Sequence, residues 1–181
     1  LTTTQSRERS SGSIPGRASD LRIAFGTSGW RGVIARDFTV ERVNRVLDAL
    51  AAHMIENGGR TAVVGGDTRF LSPELAGEAA QRLAGYGFDV RLSDRPVPTP
   101  VLSHAVRRLG YAGAINFTAN HNPFMYNGIK FSPGSGGPAP SDVTRRIEEL
   151  IEAGAAPPAG TGSVVEGDLV SPYAADLPAF N

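Results

Sequence analysis

The residues best equipped for chemistry lie in one short stretch, Thr118-Ala119-Asn120-His121-Asn122-Pro123, followed closely by Tyr126-Asn127-Gly128-Ile129-Lys130. Asn and Gly tolerate the tight backbone turns that an exposed loop needs. His121, beside Asn120, can orient a group or exchange a proton. Lys130 is the one lysine among 18 basic residues. Burial can tune an ammonium to give up its proton, which a guanidinium does not do; its solitude is equally an accident of an arginine-biased composition. The stretch follows an apolar run, residues 111–117, so it has the character of a functional loop on a rigid support.

A second stretch, Gly26-Thr27-Ser28-Gly29-Trp30-Arg31-Gly32, offers backbone N–H groups, the hydroxyls of Thr27 and Ser28, and the Arg31 guanidinium. That set suits an anion, phosphate above all, because Arg forms paired hydrogen bonds with it. The same residues also fit an ordinary Gly-rich turn with a surface arginine. The spacing is that of neither a P-loop nor a dinucleotide fingerprint. Asp67 and Arg69 read as a structural pair bracing the loops, and Pro96, Pro98 and Pro100 as a stiffened loop path. His53 and His104 fall on helical stretches and are given surface or core roles. No His pair has metal-ligand spacing, and no carboxylate cluster lies near residues 118–130.

The elements that must position these loops alternate. A short β candidate at 21–25 leads into the first loop. Thr39 is a plausible N-cap for a helix from Val40 to about Asn57, with Val43, Val46, Leu47, Leu50, Ala51, Met54 and Ile55 at helical period. Residues 61–64 read as a strand, and Ser72-Pro73-Glu74 starts a helix that runs to about Gly85. Residues 88–92 read as a strand, and Thr99-Pro100 opens a helix to Leu109. Strands at 111–117 and 126–131 and a helix from Ser141 to about Ala153 complete the series. Such alternation marks an α/β domain with helices covering a mostly parallel sheet. Ligands then bind at loops leaving the C-terminal strand ends, which makes 26–32, 65–69, 96–100 and 118–123 the candidate loops.

Composition narrows the function. The 181 residues suit one substantial domain, and 18 acidic residues balance the 18 basic ones. No basic excess is available for a phosphate backbone, so nucleic acid is not expected as a partner. There is no cysteine, which excludes disulfides and thiolate chemistry. No apolar run approaches membrane-spanning length, so no membrane partner and a cytoplasmic location are expected. Residues 1–20, rich in Ser, Thr, Arg and Gly, read as a flexible N-terminal tail, and 154–181 as a linker.

In order and spacing, four segments resemble the first domain of the α-D-phosphohexomutase family, which includes phosphoglucomutase and phosphomannomutase. They are residues 25–32, Asp67-Thr68-Arg69, Pro98-Thr99-Pro100, and Thr118 to Pro123 with Asn127-Gly128-Ile129-Lys130. The last is similar to the family's catalytic serine loop, TASHNP, and the NG-x-K segment after it. The resemblance covers about Arg22 to Ala153 and sets the domain at 21–153. It implies a three-layer α/β/α sandwich around a four-stranded mixed, mostly parallel sheet.

The resemblance also implies phosphoryl transfer between a serine and a hexose phosphate, with Mg²⁺ held by the phosphoserine and by aspartates of a DGDxDR loop. Carried over, Arg31 helps hold the phosphoryl group, and Lys130 and His121 are proton carriers. Thr27, Ser28, Thr118 and Asn122 join Arg31 in phosphate and substrate binding. Position 120 corresponds to the phosphoserine and holds Asn. An amide nitrogen is a poor nucleophile, so covalent transfer as described does not run through it. It leaves Asn120 as the sole metal position and no complete metal site. DGDxDR and the rest of domains II–IV do not occur in this sequence, so the linker at 154–181 would lead toward them. The chain alone is expected to be inactive, to bind no Mg²⁺ and to hold hexose phosphate weakly at most. The alternative is a non-catalytic phosphosugar-binding or regulatory module.

Overall fold

The computed structural model describes residues 22–177. The tail expected at 1–20 lies outside them. The six strands are β1 (Trp30–Val33), β2 (Thr61–Gly66), β3 (Asp89–Ser93), β4 (Gly113–Phe117), β5 (Tyr126–Pro133) and β6 (Ser163–Gly167). The helices are α1 (Val40–Glu56), α2 (Ser72–Ala84), α3 (Thr99–Leu109), α4 (Ser141–Glu152) and α5 (Val170–Asp176).

One mixed sheet runs in the order β1-β5-β4-β2-β3-β6. β4, β2, β3 and β6 are parallel to their neighbours in that series, while β5 is antiparallel to both β4 and β1. Period-two alternation sends the side chains of each strand to opposite faces. On one face Ala62, Val64, Val90, Ile115, Phe117, Ile129 and Phe131 form a buried core with α1, α2 and α4. On the other, Val63 and Ala114 pack with Val101, Leu102, Ala105 and Val106 of α3 and with Leu169, just before α5. The three-layer α/β/α sandwich expected from the sequence is therefore the fold.

The sheet has six strands, and the four expected are extended by an edge strand on each side. The expected β candidate at 21–25 forms no strand over its described residues. Ile23 and Phe25 are instead buried in the core, and the Phe25 amide donates to Glu148 Oε1 at 2.7 Å. The strand comes later, at Trp30–Val33, inside what reads as a Gly-rich loop. Gly29 has φ +82°, and a Cβ there would lie 2.1 Å from the Ile129 carbonyl oxygen. Only glycine lets the start of β1 lie so close to β5.

The stretch 154–181, expected as linker, contributes β6 and α5. β6 pairs with β3 over Asp89↔Ser163 to Ser93↔Gly167. α5 is tied to α3 by Asp176, whose Oδ2 lies 2.8 Å from His104 Nε2 and also accepts from Arg108. Helix starts fall within a residue of those expected. Thr39 does cap α1, its hydroxyl accepting from the Arg42 amide at 3.4 Å. Ser72 is the first residue of α2, and Leu71 takes the cap position in a left-handed conformation.

Candidate functional site

The two loops nominated by chemistry meet at the β4–β5 end of the sheet. β4 delivers Thr118 and Ala119, both buried, and the chain then turns outward so that Asn120 and His121 are exposed. Asn120 has φ +52°. Asn is among the few non-glycine residues that enter this left-handed region at modest cost. Its amide donates to Thr118 Oγ1 at 3.0 Å, and Thr118 Oγ1 donates to Asp67 Oδ2 at 2.7 Å. The turn is thereby tied to the neighbouring β2–α2 loop.

Arg69 is the main brace. Its side chain is only 15% exposed. Nη2 donates to the carbonyls of Asn120 at 2.7 Å and Asn122 at 2.6 Å, and Nη1 to those of Pro123 at 3.0 Å and Tyr126 at 3.1 Å. One planar guanidinium thus fixes the path of the whole loop. The expected bracing pair is present, but its Nε–Asp67 Oδ2 separation is 3.5 Å, so the carbonyls take the larger part. Asp67 serves a second purpose: Oδ1 accepts from the Arg69 amide at 2.9 Å and from Ser72 Oγ at 3.1 Å.

Asn127, to which sequence reasoning gives no separate role, completes this network. It is fully buried; Nδ2 donates to the Phe70 carbonyl and to Ser72 Oγ, both at 3.0 Å, and Oδ1 accepts from the Gly128 amide at 2.7 Å. Every polar atom of the amide is used, as a buried amide requires. An Asn in an otherwise strand-like run, next to Gly, was the available signal.

The first loop reaches the site differently from the others. It precedes β1 rather than leaving a strand end, and the antiparallel β1–β5 pairing places Arg31 level with Gly128. A Cβ on residue 128 would lie 2.6 Å from the Trp30 oxygen, 2.7 Å from the Thr118 oxygen and 2.9 Å from Arg31 Cγ. Glycine there lets Arg31 cross β5, where Nη1 donates to Asn122 Oδ1 at 3.1 Å. Thr27 and Ser28 are exposed nearby in sequence, and the Ser28 carbonyl accepts from Arg31 Nη2 at 3.5 Å.

Lys130 is half-buried on β5, paired in register with Asn116, whose Nδ2 donates to Thr99 Oγ1 at the start of α3. The structure therefore brings Arg31, Thr118, Asn120 and Asn122 together and sets Lys130 two residues along β5 from Gly128. In the Pro96–Pro100 path the Val97 amide donates to the Gly66 carbonyl at 2.8 Å, which ties the loop to the end of β2.

The site is a ridge rather than a pocket. Two cavities lie away from the exposed loop tips: one of about 320 Å³ beside Ser103, His104, Arg107 and Tyr173, and one of about 190 Å³ beyond β2 and β3 at Gly66, Asp94, Arg95 and Glu166. His104 is paired with Asp176. His53 packs edge-on against Phe131 at 5.9 Å, and burial lowers its pKa. Among the described residues no group of three or more His, Asp or Glu could hold a metal ion, and no helix is long and apolar enough to cross a membrane.

Comparison with known proteins identifies the family. Residues 22–157 match the family model described as phosphoglucomutase/phosphomannomutase, alpha/beta/alpha domain I. The chain belongs to this family. It is 35% identical over 137 residues to a phosphoglucomutase of Staphylococcus saprophyticus, covering 72% of this chain and 24% of that protein. It is 37% identical over 151 residues to a phosphoglucosamine mutase of Mycolicibacterium smegmatis, covering 76% and 33%.

Among solved structures, a Thermus thermophilus protein assigned as a phosphomannomutase superposes with a TM-score of 0.81 at 44% identity, covering 88% of this chain and 36% of that one. A phosphoglucomutase/phosphomannomutase family protein of Burkholderia thailandensis gives 0.72 at 28% identity, covering 84% and 34%. The chain spans 24% and 33% of the length of the two mutases above.

Proposed function

We propose that this chain is domain I of a phosphoglucomutase/phosphomannomutase-like protein, that it contributes a hexose-phosphate-holding loop, and that in isolation it turns nothing over. One observation carries the reading: Asn120 sits in a left-handed turn at the apex of a loop braced by Arg69, and Arg31 crosses Gly128 to reach that same loop. A phosphate above this ridge would meet the Arg31 guanidinium, the hydroxyls of Thr27 and Ser28, and the Asn120 amide. Thr118 acts by setting the turn, and Asn122 by aiming Arg31. His121 and Lys130 are the candidate proton carriers for a sugar hydroxyl.

Residue 120, at the position of the family's phosphoserine, limits the chemistry. Its amide nitrogen lone pair is delocalised, so it offers no nucleophile for a phosphoryl group. As it stands the loop holds a phosphorylated sugar without becoming phosphorylated. The residues present do not suit Mg²⁺ by themselves. Asn120 offers one neutral oxygen, and the Asp67 carboxylate is already engaged by Thr118, Ser72 and Arg69. Further carboxylates, and the walls that would close the ridge into a cleft, would come from domains II–IV of a longer, cytoplasmic protein. Relatives named for glucose and for glucosamine support hexose phosphate as the substrate class.

The test is an amide-resolved NMR titration of this chain with glucose 1-phosphate and with mannose 1-phosphate. The expected result is weak, saturable shifts confined to residues 27–31, 118–122 and 130, with no turnover. Shifts centred on the His104 cavity, a tight complex, or isomerisation of the sugar phosphate would overturn the reading.

A further inference from the structure

The chain contains seven asparagines, at 44, 57, 116, 120, 122, 127 and 181. Residue 181 lies outside the described region. Two of the others precede glycine, the arrangement in which an unhindered backbone nitrogen most readily attacks the side-chain amide. Neither is set up for it here. Asn127 is fully buried with its amide saturated, and the Gly128 nitrogen is held by Asn127 Oδ1. Asn57 caps α1, where its Nδ2 donates to the His53 carbonyl at 2.8 Å and the Gly58 nitrogen donates to the Ile55 carbonyl at 2.9 Å. Asn122 precedes proline, which has no N–H. Asn44 lies within α1, and Asn116 is buried in β4.

Asn120 differs in the groups that would react: its backbone is held, the amide by Thr118 Oγ1 at 3.0 Å and the carbonyl by Arg69 Nη2 at 2.7 Å, but its side-chain amide is not. It is exposed, at a turn apex outside any helix or strand. Its Oδ1 has only a 3.5 Å contact with Thr118 Oγ1, a hydroxyl whose proton points to Asp67 at 2.7 Å. The His121 amide has no acceptor among the described residues, and the His121 imidazole is exposed beside it.

We propose that Asn120 is a self-modification site, at which the amide is converted to a carboxylate. The His121 backbone nitrogen attacks Asn120 Cγ and a C–N bond forms. The Cγ–Nδ2 bond breaks, and Nδ2 leaves as ammonia carrying the proton from the His121 nitrogen. Water then opens the cyclic imide at either carbonyl, giving aspartate or its β-linked isomer. The net change is one water consumed and one ammonia released, with no oxidant or reductant. Given the function proposed above, the product puts a negative charge where a phosphate is to be held, so modification would weaken that binding.

The test is peptide mass mapping of the folded chain during incubation at neutral and mildly alkaline pH, with no sugar present, so that it stands or falls apart from the phosphosugar reading. The expected result is conversion at Asn120 roughly tenfold or more faster than at Asn57 or Asn127, because reaction at those two first requires local opening. In urea the order should reverse. His121→Val should slow conversion at residue 120 alone and His121→Gly should speed it. Retention of the Asn120 amide while Asn57 or Asn127 converts, or indifference of the rate to residue 121, would overturn the proposal.

Discussion

Within the same site, the framework and the tips are built differently. Asp67, Arg69, Ser72, Thr118 and Asn127 are joined by a continuous set of hydrogen bonds, and Arg69 alone reaches four carbonyls. Asn120, His121, Thr27 and Ser28 are exposed, and their side chains make few contacts. The residues whose types suggest chemistry are thus free to meet a ligand. The residues that hold them in place look ordinary in the sequence. A binding loop that must present groups without flexing needs this division, since every tip that bonded to its own framework would be lost to the ligand.

The framework is most vulnerable at Gly128. A methyl group there meets two carbonyl oxygens at 2.6 and 2.7 Å, so Gly128→Ala should cost about 3 kcal/mol or prevent folding. An unchanged urea midpoint would show that the β1–β5–β4 packing is looser than described. Next comes Arg69→Met, expected to lose about 2 kcal/mol and to speed amide exchange over residues 119–126. A stability loss with no change in exchange would mean the brace acts elsewhere.

Asn120→Ala should cost about 1 kcal/mol, because alanine enters the left-handed region less readily. His121→Ala, one residue away, should stay within about 0.5 kcal/mol. Equal effects would erase the distinction between the constrained apex and its neighbour.

The smallest effect lies at the far side of the domain. The Asp176 carboxyl is held below its ordinary pKa by its hydrogen bond to His104 and by Arg108. A carboxyl with a depressed folded-state pKa stabilises above its unfolded value and loses that contribution as pH falls through the folded one. Amide exchange in α5 should therefore accelerate in that acid range while residues 118–130 keep their protection. Simultaneous loosening of both would tie α5 to the site.

The same contrast explains what was legible in the sequence. α1, with its Thr39 cap and apolar face, and the strands β2 to β5 inside the sheet carry more of the periodicity that burial imposes. β1 and β6 are edge strands. Trp30-Arg31-Gly32-Val33 reads as part of a turn because of its glycines, and Ser163-Val164-Val165-Glu166-Gly167 is mostly exposed, so neither bears a strong pattern. Arg31 and Asn120 could be nominated from residue type and motif order. The reach of Arg69 to carbonyls 51 to 57 residues away could not, because only the folded sheet brings those loops together.

The loop, on this reading, is competent in shape and lacks only the atom that would accept a phosphoryl group. The direct measurement is phosphoryl transfer by the Asn120→Ser variant of this chain joined to the further domains proposed above, supplied with a hexose 1,6-bisphosphate as phosphoryl donor and Mg²⁺. Serine at residue 120 should become phosphorylated, while the Asn120 protein should not. Absence of phosphorylation in the folded variant, or phosphoryl transfer already running through the Asn120 protein, would contradict the reading.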